Sequence, residues 1–237
     1  MSEPTIRYAS VCSGVESASL AWIPLGWEAV FFSEVEPFPC AVLHHRFGAG
    51  RPIHPLDPAE IVISDEEWKI IGECKKENPK TWRKIIESDL LGRYDEFTKR
   101  ENWIKQNNEL PETGMIPNEG DFTKIGDKYR GKMDLLVGGT PCQSFSVAGK
   151  RAGLAGVSGL ALDFIRLAYE SQVKWIVWEN VPYDNICIRD IMESFHYVKY
   201  ENFLSVLRQK LIALLYIIFQ LLSLKCSSQS IKSLSIS

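Results

Sequence analysis

The segment Ile6-Arg-Tyr-Ala-Ser-Val-Cys-Ser-Gly-Val-Glu-Ser17 begins as a β-like run, Ile6 to Val11, and turns at Cys12-Ser-Gly-Val-Glu-Ser17. Ala18 to Trp22 starts a helix that Pro24 and Gly26 end. Ala29-Val-Phe-Phe32 is a second strand, finishing at Ser33-Glu34-Val35-Glu36, and Pro37 suits the first turn of a helix reaching about Phe47. Strand, turn, helix and strand in that order predict a parallel, Rossmann-like α/β sheet. The first turn carries one firm glycine, Gly14, where a dinucleotide-binding turn would show three. Glu34 is better placed, because a carboxylate at the end of the second strand can accept both hydroxyls of a cofactor ribose. The plain alternative is a solvated loop acid.

Working outward, the next informative stretch is Asp134-Leu-Leu-Val-Gly-Gly-Thr-Pro-Cys-Gln-Ser-Phe-Ser146. Leu135 to Val137 is a short apolar run that Gly138-Gly139 ends abruptly. Pro141 fixes its own φ and pushes Thr140 out of the helical region. Cys142 is thereby presented beyond the carboxyl end of a strand, the edge at which open α/β sheets bind ligands. A free cysteine is more often a small buried hydrophobe, but such a residue needs no Gly-Gly-Thr-Pro before it. The residues to Leu154 are small, polar and glycine-dotted, with Lys150-Arg151 among them, and suit a loop closing over a polyanion. Leu160 to Val173 has the apolar spacing of a helix packed on the sheet, and Trp175-Ile-Val-Trp178 is expected to be a further buried strand. It stops at Glu179, an acid whose charged form desolvation would disfavour; an exposed strand-end acid is the bland alternative.

The chain has 237 residues, 45% hydrophobic and 24% charged, enough for one globular domain with a sizeable core. Its net charge of -3 gives no global basic field, so any nucleic-acid contact must come from local patches. The six cysteines form no CxxC pair and no secretory signal precedes them, which implies reduced thiols, a cytoplasmic setting and no structural metal. His44, His45 and His54 lack a fourth ligand at tetrahedral spacing. Residues 48–119 change character. Gly50 to Pro58 is turn-rich, Asp65 to Glu109 is dense in Lys, Glu and Trp at helical spacing, and Leu110 to Gly120 reads as loop. The expectation is a charged helical insertion whose mixed charges make a solvated face.

Gly139-Thr-Pro-Cys-Gln-Ser-Phe-Ser146 resembles the nucleophile motif of the DNA cytosine-5 methyltransferases, particularly the phage and prophage versions. Ser10-Val-Cys-Ser-Gly-Val-Glu-Ser17 is similar to that family's S-adenosylmethionine loop, Glu34 to its ribose-binding acid, and Glu179-Asn-Val181 to its Glu-Asn-Val motif. In Gly120-Asp-Phe-Thr123 the resemblance puts Asp121 on the adenine amino group and Phe122 against the ring. It covers roughly residues 5–183 with 48–119 interrupting. It implies an S-adenosylmethionine-dependent methyltransferase sheet with a cofactor site of Cys12, Gly14, Glu34, Val35, Asp121, Phe122 and Pro141. Cys142 and Glu179 would be catalytic, and Gln143, Ser146, Lys150 and Arg151 would contact DNA. The implied partners are DNA and a restriction endonuclease, with no metal and no membrane. Two departures concern adenosyl packing: Cys12 replaces the usual aromatic, and Glu16 a later glycine.

Beyond Pro182 the resemblance stops; a Gln-Arg-Arg-type strand, a DNA-reading variable region and a closing helix are not recognisable. Leu211 to Leu224 is nearly all apolar, and a Ser-rich end follows. Three readings compete: a membrane span, for which the run is shorter than the roughly 20 residues needed; a buried helix; or truncated or out-of-frame sequence. The composition change favours the last, making 184–237 a divergent tail and the fold C-terminally incomplete. Two other functional classes remain beside the methyltransferase: an inactive fragment that at most binds cofactor or DNA weakly, and a small-molecule methyltransferase or oxidoreductase on the same fold. The latter has no reason to keep both the Pro-Cys-Gln and Glu-Asn-Val motifs.

Overall fold

The computed structural model describes residues 5–140 and 159–178. Within them six strands form one parallel sheet: β1 (Arg7–Val11), β2 (Glu28–Ser33), β3 (Ala49–His54), β4 (Ile116–Gly120), β5 (Leu135–Gly138) and β6 (Trp175–Trp178), in the order β3-β4-β2-β1-β5-β6. The helices are α1 (Ser17–Trp22), α2 (Pro37–Phe47), α3 (Asp65–Glu77), α4 (Trp82–Ile85), α5 (Ser88–Asn107) and α6 (Gly159–Ser171). This is the expected α/β Rossmann-like architecture. After β1 the chain builds outward through β2 on one side, then returns to lay β5 on the other. The strand order therefore reverses between β1 and β5, which defines the ligand crevice of such sheets.

Burial on both faces explains why β2 reads as a continuous apolar run rather than an alternating one. Phe31 and Phe32 are both fully buried, Phe32 against Phe47 of α2 and Phe31 against the tilted ring of Tyr129 with centroids 4.3 Å apart. Tyr8, Phe32, Leu43, Phe47, Ala49 and Leu135 form one core cluster. On β5, Phe164 of α6 packs against Gly138, where a Cβ would meet the Val11 carbonyl oxygen at 2.7 Å. That close approach, as much as strand termination, is what the glycine permits.

Three stretches differ from expectation. Residues 49–54 and 116–120, expected as turn and loop, are strands β3 and β4. Their Gly and Pro content carries little β-propensity, and the strands exist because they pair with each other, Ala49↔Ile116, Pro52↔Asn118 and His54↔Gly120. Pro117 supplies no N–H, and β4 meets β2 in register at Phe32↔Asn118 alone. The Asn118 side chain reinforces that join by accepting from the Glu34 N–H at 3.0 Å and the Gly120 N–H at 3.1 Å. The third difference is β6, whose Trp175 and Val177 are 38% and 44% exposed. It is an edge strand of the described sheet, covered along one side only by β5.

Helices α3, α4 and α5 lie between β3 and β4 in the chain and share a small core of their own, Ile71, Ile86 and Leu90, with Trp82 and Tyr94 packed on it. Ser64 and Glu67 form a reciprocal capping box at the start of α3. Arg93 of α5 reaches across to Glu67, holding its carboxyl down at about 2.

Candidate active site

The carboxyl ends of β1, β2 and β4 converge on one cluster. After β1, Cys12 takes a left-handed φ of 49° and Gly14 one of 55°, folding the chain into a tight loop. Glu34, only 9% exposed, clamps that loop: its Oε2 accepts the Gly14 N–H at 2.8 Å, while Oε1 accepts from Val35 at 2.8 Å and Glu36 at 3.0 Å. Asp121 follows β4 and is positioned by its own N–H donating to the His54 carbonyl at 2.7 Å. Its Oδ1 caps a short 3-10 turn, Phe122–Lys124, accepting from the Thr123 N–H at 3.0 Å and hydroxyl at 2.8 Å. Cys12 is near enough to both carboxylates to feel their charge. Burial first, then the charges of Glu34 and Asp121, push its thiol up to about 12. A thiol held protonated in this way lines a site and does not act as a nucleophile.

The structure thus brings together Cys12, Gly14, Glu34, Val35 and Asp121. Phe122 belongs to the same turn but is 4% exposed, so little of its ring is open for a ligand to lie against. Pro141, Cys142, Gln143, Ser146, Lys150, Arg151 and Glu179 lie outside the described residues. Their strands do not: β5 and β6 end in register at Gly138↔Trp178, and the Trp178 indole N–H donates to the buried Thr140 hydroxyl at 3.1 Å. Pro141 follows Thr140 and Glu179 follows Trp178 directly in the chain.

Two features escaped the sequence reading. Glu16 is buried with φ 59°, and its carboxylate caps α1 by accepting from the Ser19 N–H at 3.0 Å and hydroxyl at 2.9 Å. Burial raises its pKa, opposed by those hydrogen bonds. The signal was present, since Glu16 stands where the resembled loop has glycine. Glu119 is fully buried on β4; its Oε1 accepts from Lys128 at 2.7 Å and from the Tyr129 hydroxyl at 2.5 Å, and its Oε2 accepts no hydrogen bond among the described residues, with His54 Nε2 4.0 Å away. No spacing rule links those residues in the sequence.

A nucleoside with a charged tail makes demands this cluster can meet. Two carboxylates stand at adjacent strand ends, each with acceptor capacity left. Glu34 uses three of roughly four lone-pair positions on backbone N–H groups, and Asp121 keeps Oδ2 without a donor among the described residues. Accepting both ribose hydroxyls at Glu34 requires one backbone amide to be shared or released. The described residues contain no group of three or more His, Cys, Asp or Glu able to hold a metal ion, and no helix among them is long and apolar enough to cross a membrane.

Residues 98–212 match the family model of the C-5 cytosine-specific DNA methylases. The chain is 33% identical over 189 residues to a DNA N-6-adenine-methyltransferase of Escherichia phage P1, a match covering 74% of this chain and 16% of that protein. It is 41% identical over 99 residues to the orphan methyltransferase M.SPRI of Bacillus phage SPR, covering 39% of this chain and 23% of the relative. Against the Type II methyltransferase M.HgiBI of Herpetosiphon aurantiacus it is 36% identical over 114 residues, 46% of this chain and 24% of the relative. The chain spans 24% or less of the length of these relatives. The matched model and these relatives make the chain similar, over residues 98–212, to the C-5 cytosine-specific DNA methylases.

Proposed function

We propose that the chain forms the cofactor-binding and nucleophile-bearing part of a DNA cytosine-5 methyltransferase that uses S-adenosylmethionine. The observation that carries this reading is the placement of Gly139-Thr-Pro-Cys142 directly after β5, the strand beside β1, whose loop is clamped by Glu34. Gly14, Glu34, Val35 and Asp121 hold the cofactor, with Pro141 and Cys12 beside it. Bound S-adenosylmethionine supplies an electrophilic methyl group. Cytosine C5 is a poor nucleophile within its aromatic ring, so the Cys142 thiolate adds to C6, forming a carbon–sulfur bond and making C5 an enamine carbon. Glu179 holds and protonates N3 as charge develops. C5 would then take the methyl group, releasing S-adenosylhomocysteine; loss of the C5 proton to a base, with the N3 proton returned to Glu179, would break the C6–sulfur bond and return the thiolate. The target atom is shielded in a duplex, so the base is flipped out. Gln143, Ser146, Lys150 and Arg151 contact the surrounding DNA. A cytoplasmic setting and a companion restriction endonuclease belong to the same proposal.

The name of the phage P1 relative favours a second reading, methylation of the adenine amino group. That amino group is itself the nucleophile and has no use for a thiol adding to the ring, so Cys142 supports the cytosine reading. Incubation with S-adenosylmethionine and a duplex containing 5-fluorocytosine separates the two, because fluorine at C5 blocks the elimination that frees the thiol. The expected result is a denaturation-resistant protein–DNA adduct, absent in Cys142→Ala. N6-methyladenine formation without any adduct would replace the proposal with the second reading.

A further inference from the structure

The two oxygens of Asp121 are unequal. Oδ1 is occupied by Thr123, whereas Oδ2 accepts no hydrogen bond among the described residues and has only a long ion pair, with Lys124 Nζ 4.0 Å away. Residues three apart in a 3-10 turn eclipse one another, so Lys124 is well placed to fold onto Asp121. It points to Glu60 instead, with Nζ 2.6 Å from Oε1. Glu60 is itself fixed. Arg100 of α5 donates to its Oε2 at 2.8 Å, to the Asp57 carbonyl at 2.9 Å and to Glu96 at 3.1 Å. Asp57 caps the 3-10 turn Pro58–Glu60 through the Ala59 N–H at 2.8 Å. On the other side, Arg166 of α6 donates to the Thr123 carbonyl at 3.0 Å and ties the Asp121 turn down.

We propose that Glu60 is a positioning residue that draws the Lys124 ammonium away from Asp121 and so keeps Oδ2 open to accept the amino group of adenine. This rests on the assignment of Asp121 to adenine made above. An ammonium is a stronger donor to a carboxylate than a neutral arylamine, so a lysine seated on Oδ2 competes with the ligand. Glu60 is held below the usual carboxylate range by Lys124 and then Arg100, and Lys124 is raised by Glu60. The helical segment between β3 and β4 thereby reaches the cofactor site through Arg100 and Glu60 without touching the ligand.

The test is calorimetric titration of the full chain with S-adenosylhomocysteine, with thermal melts to show that each variant is folded. Glu60→Gln is expected to weaken binding about fivefold, the upper end of what one exposed ion pair is worth. Lys124→Met should bind within about twofold of wild type, and the Glu60→Gln/Lys124→Met double variant should recover to the Lys124→Met value, since the competitor is gone. A purely structural role for Glu60 would leave the double variant as weak as Glu60→Gln, and that result overturns the proposal. So does an unchanged Glu60→Gln, or a Lys124→Met that is itself fivefold weaker. Failure of the wild type to bind is a separate outcome that sinks the cofactor assignment of Asp121 and this inference with it.

Discussion

Glu16 shows how one residue can carry two opposed effects. Its left-handed backbone disfavours any side chain by roughly 1 kcal/mol, while its carboxylate caps α1, which is worth about 1 kcal/mol. Replacing it with alanine keeps the strained φ and loses the cap, leaving the Ser19 N–H and hydroxyl without that acceptor. Glu16→Ala should therefore lower stability by about 1–2 kcal/mol. Glu16→Gly loses the cap but relieves the strain, and should stay within about 0.5 kcal/mol of wild type. Urea unfolding compares the two. A glycine variant as unstable as the alanine variant would show that no strain is stored at that position.

Among the elements, the amino-terminal edge of the sheet is joined by a single side chain. Asp134, just before β5, accepts from the Arg7 N–H and Nε of β1, both at 3.2 Å, and from Lys174 Nζ before β6 at 3.0 Å. Arg7, then Lys174, holds its carboxyl down at about 2. A depressed folded-state pKa gives stability that is present above the unfolded value of 3.8 and is lost as pH falls toward 2. Asp134→Asn should cost about 1–3 kcal/mol at neutral pH, with the gap to wild type closing between those two values. A gap that persists below pH 2 in acid titration would mean that the charge is not what matters. The legibility of the elements follows the same physics. β1, β2, β5, α2 and α6 were readable because their apolar runs or helical spacing are local properties of the chain. β3 and β4 were not, since Gly50, Pro52 and Pro117 argue locally against strands that form only through pairing across the long helical segment. Of the candidate site, Gly14, Glu34 and Asp121 were legible as turn and strand-end residues matching a known pattern. The contributions of Asn118, Glu60 and Lys124 were not, because ion pairs and side-chain hydrogen bonds between distant segments leave no periodicity.

For the whole molecule the governing quantity is charge. With a net charge of -3 and a pI near 5.9, the chain offers DNA no long-range attraction, so the DNA contact proposed above would rest on a few local cations. Two groups compete for that role. One is Lys150 and Arg151, following the Cys142 motif; the other is Lys76, Lys80 and Lys84, exposed around the turn between α3 and α4. The second group sits in a segment whose Asp and Glu residues interleave with its cations, and Arg83 there is already paired with Asp95. Each phosphate neutralised contributes about 0.9 to the slope of log affinity against log salt. Lys150→Ala/Arg151→Ala should therefore flatten that slope by about 1.8 in fluorescence anisotropy titrations with a short duplex, while alanines at Lys76, Lys80 and Lys84 leave it unchanged. The reverse pattern would move the proposed DNA contacts from Lys150 and Arg151 to the helical segment. It would also give that segment a direct role in DNA binding, beside the indirect role in cofactor binding proposed for Glu60.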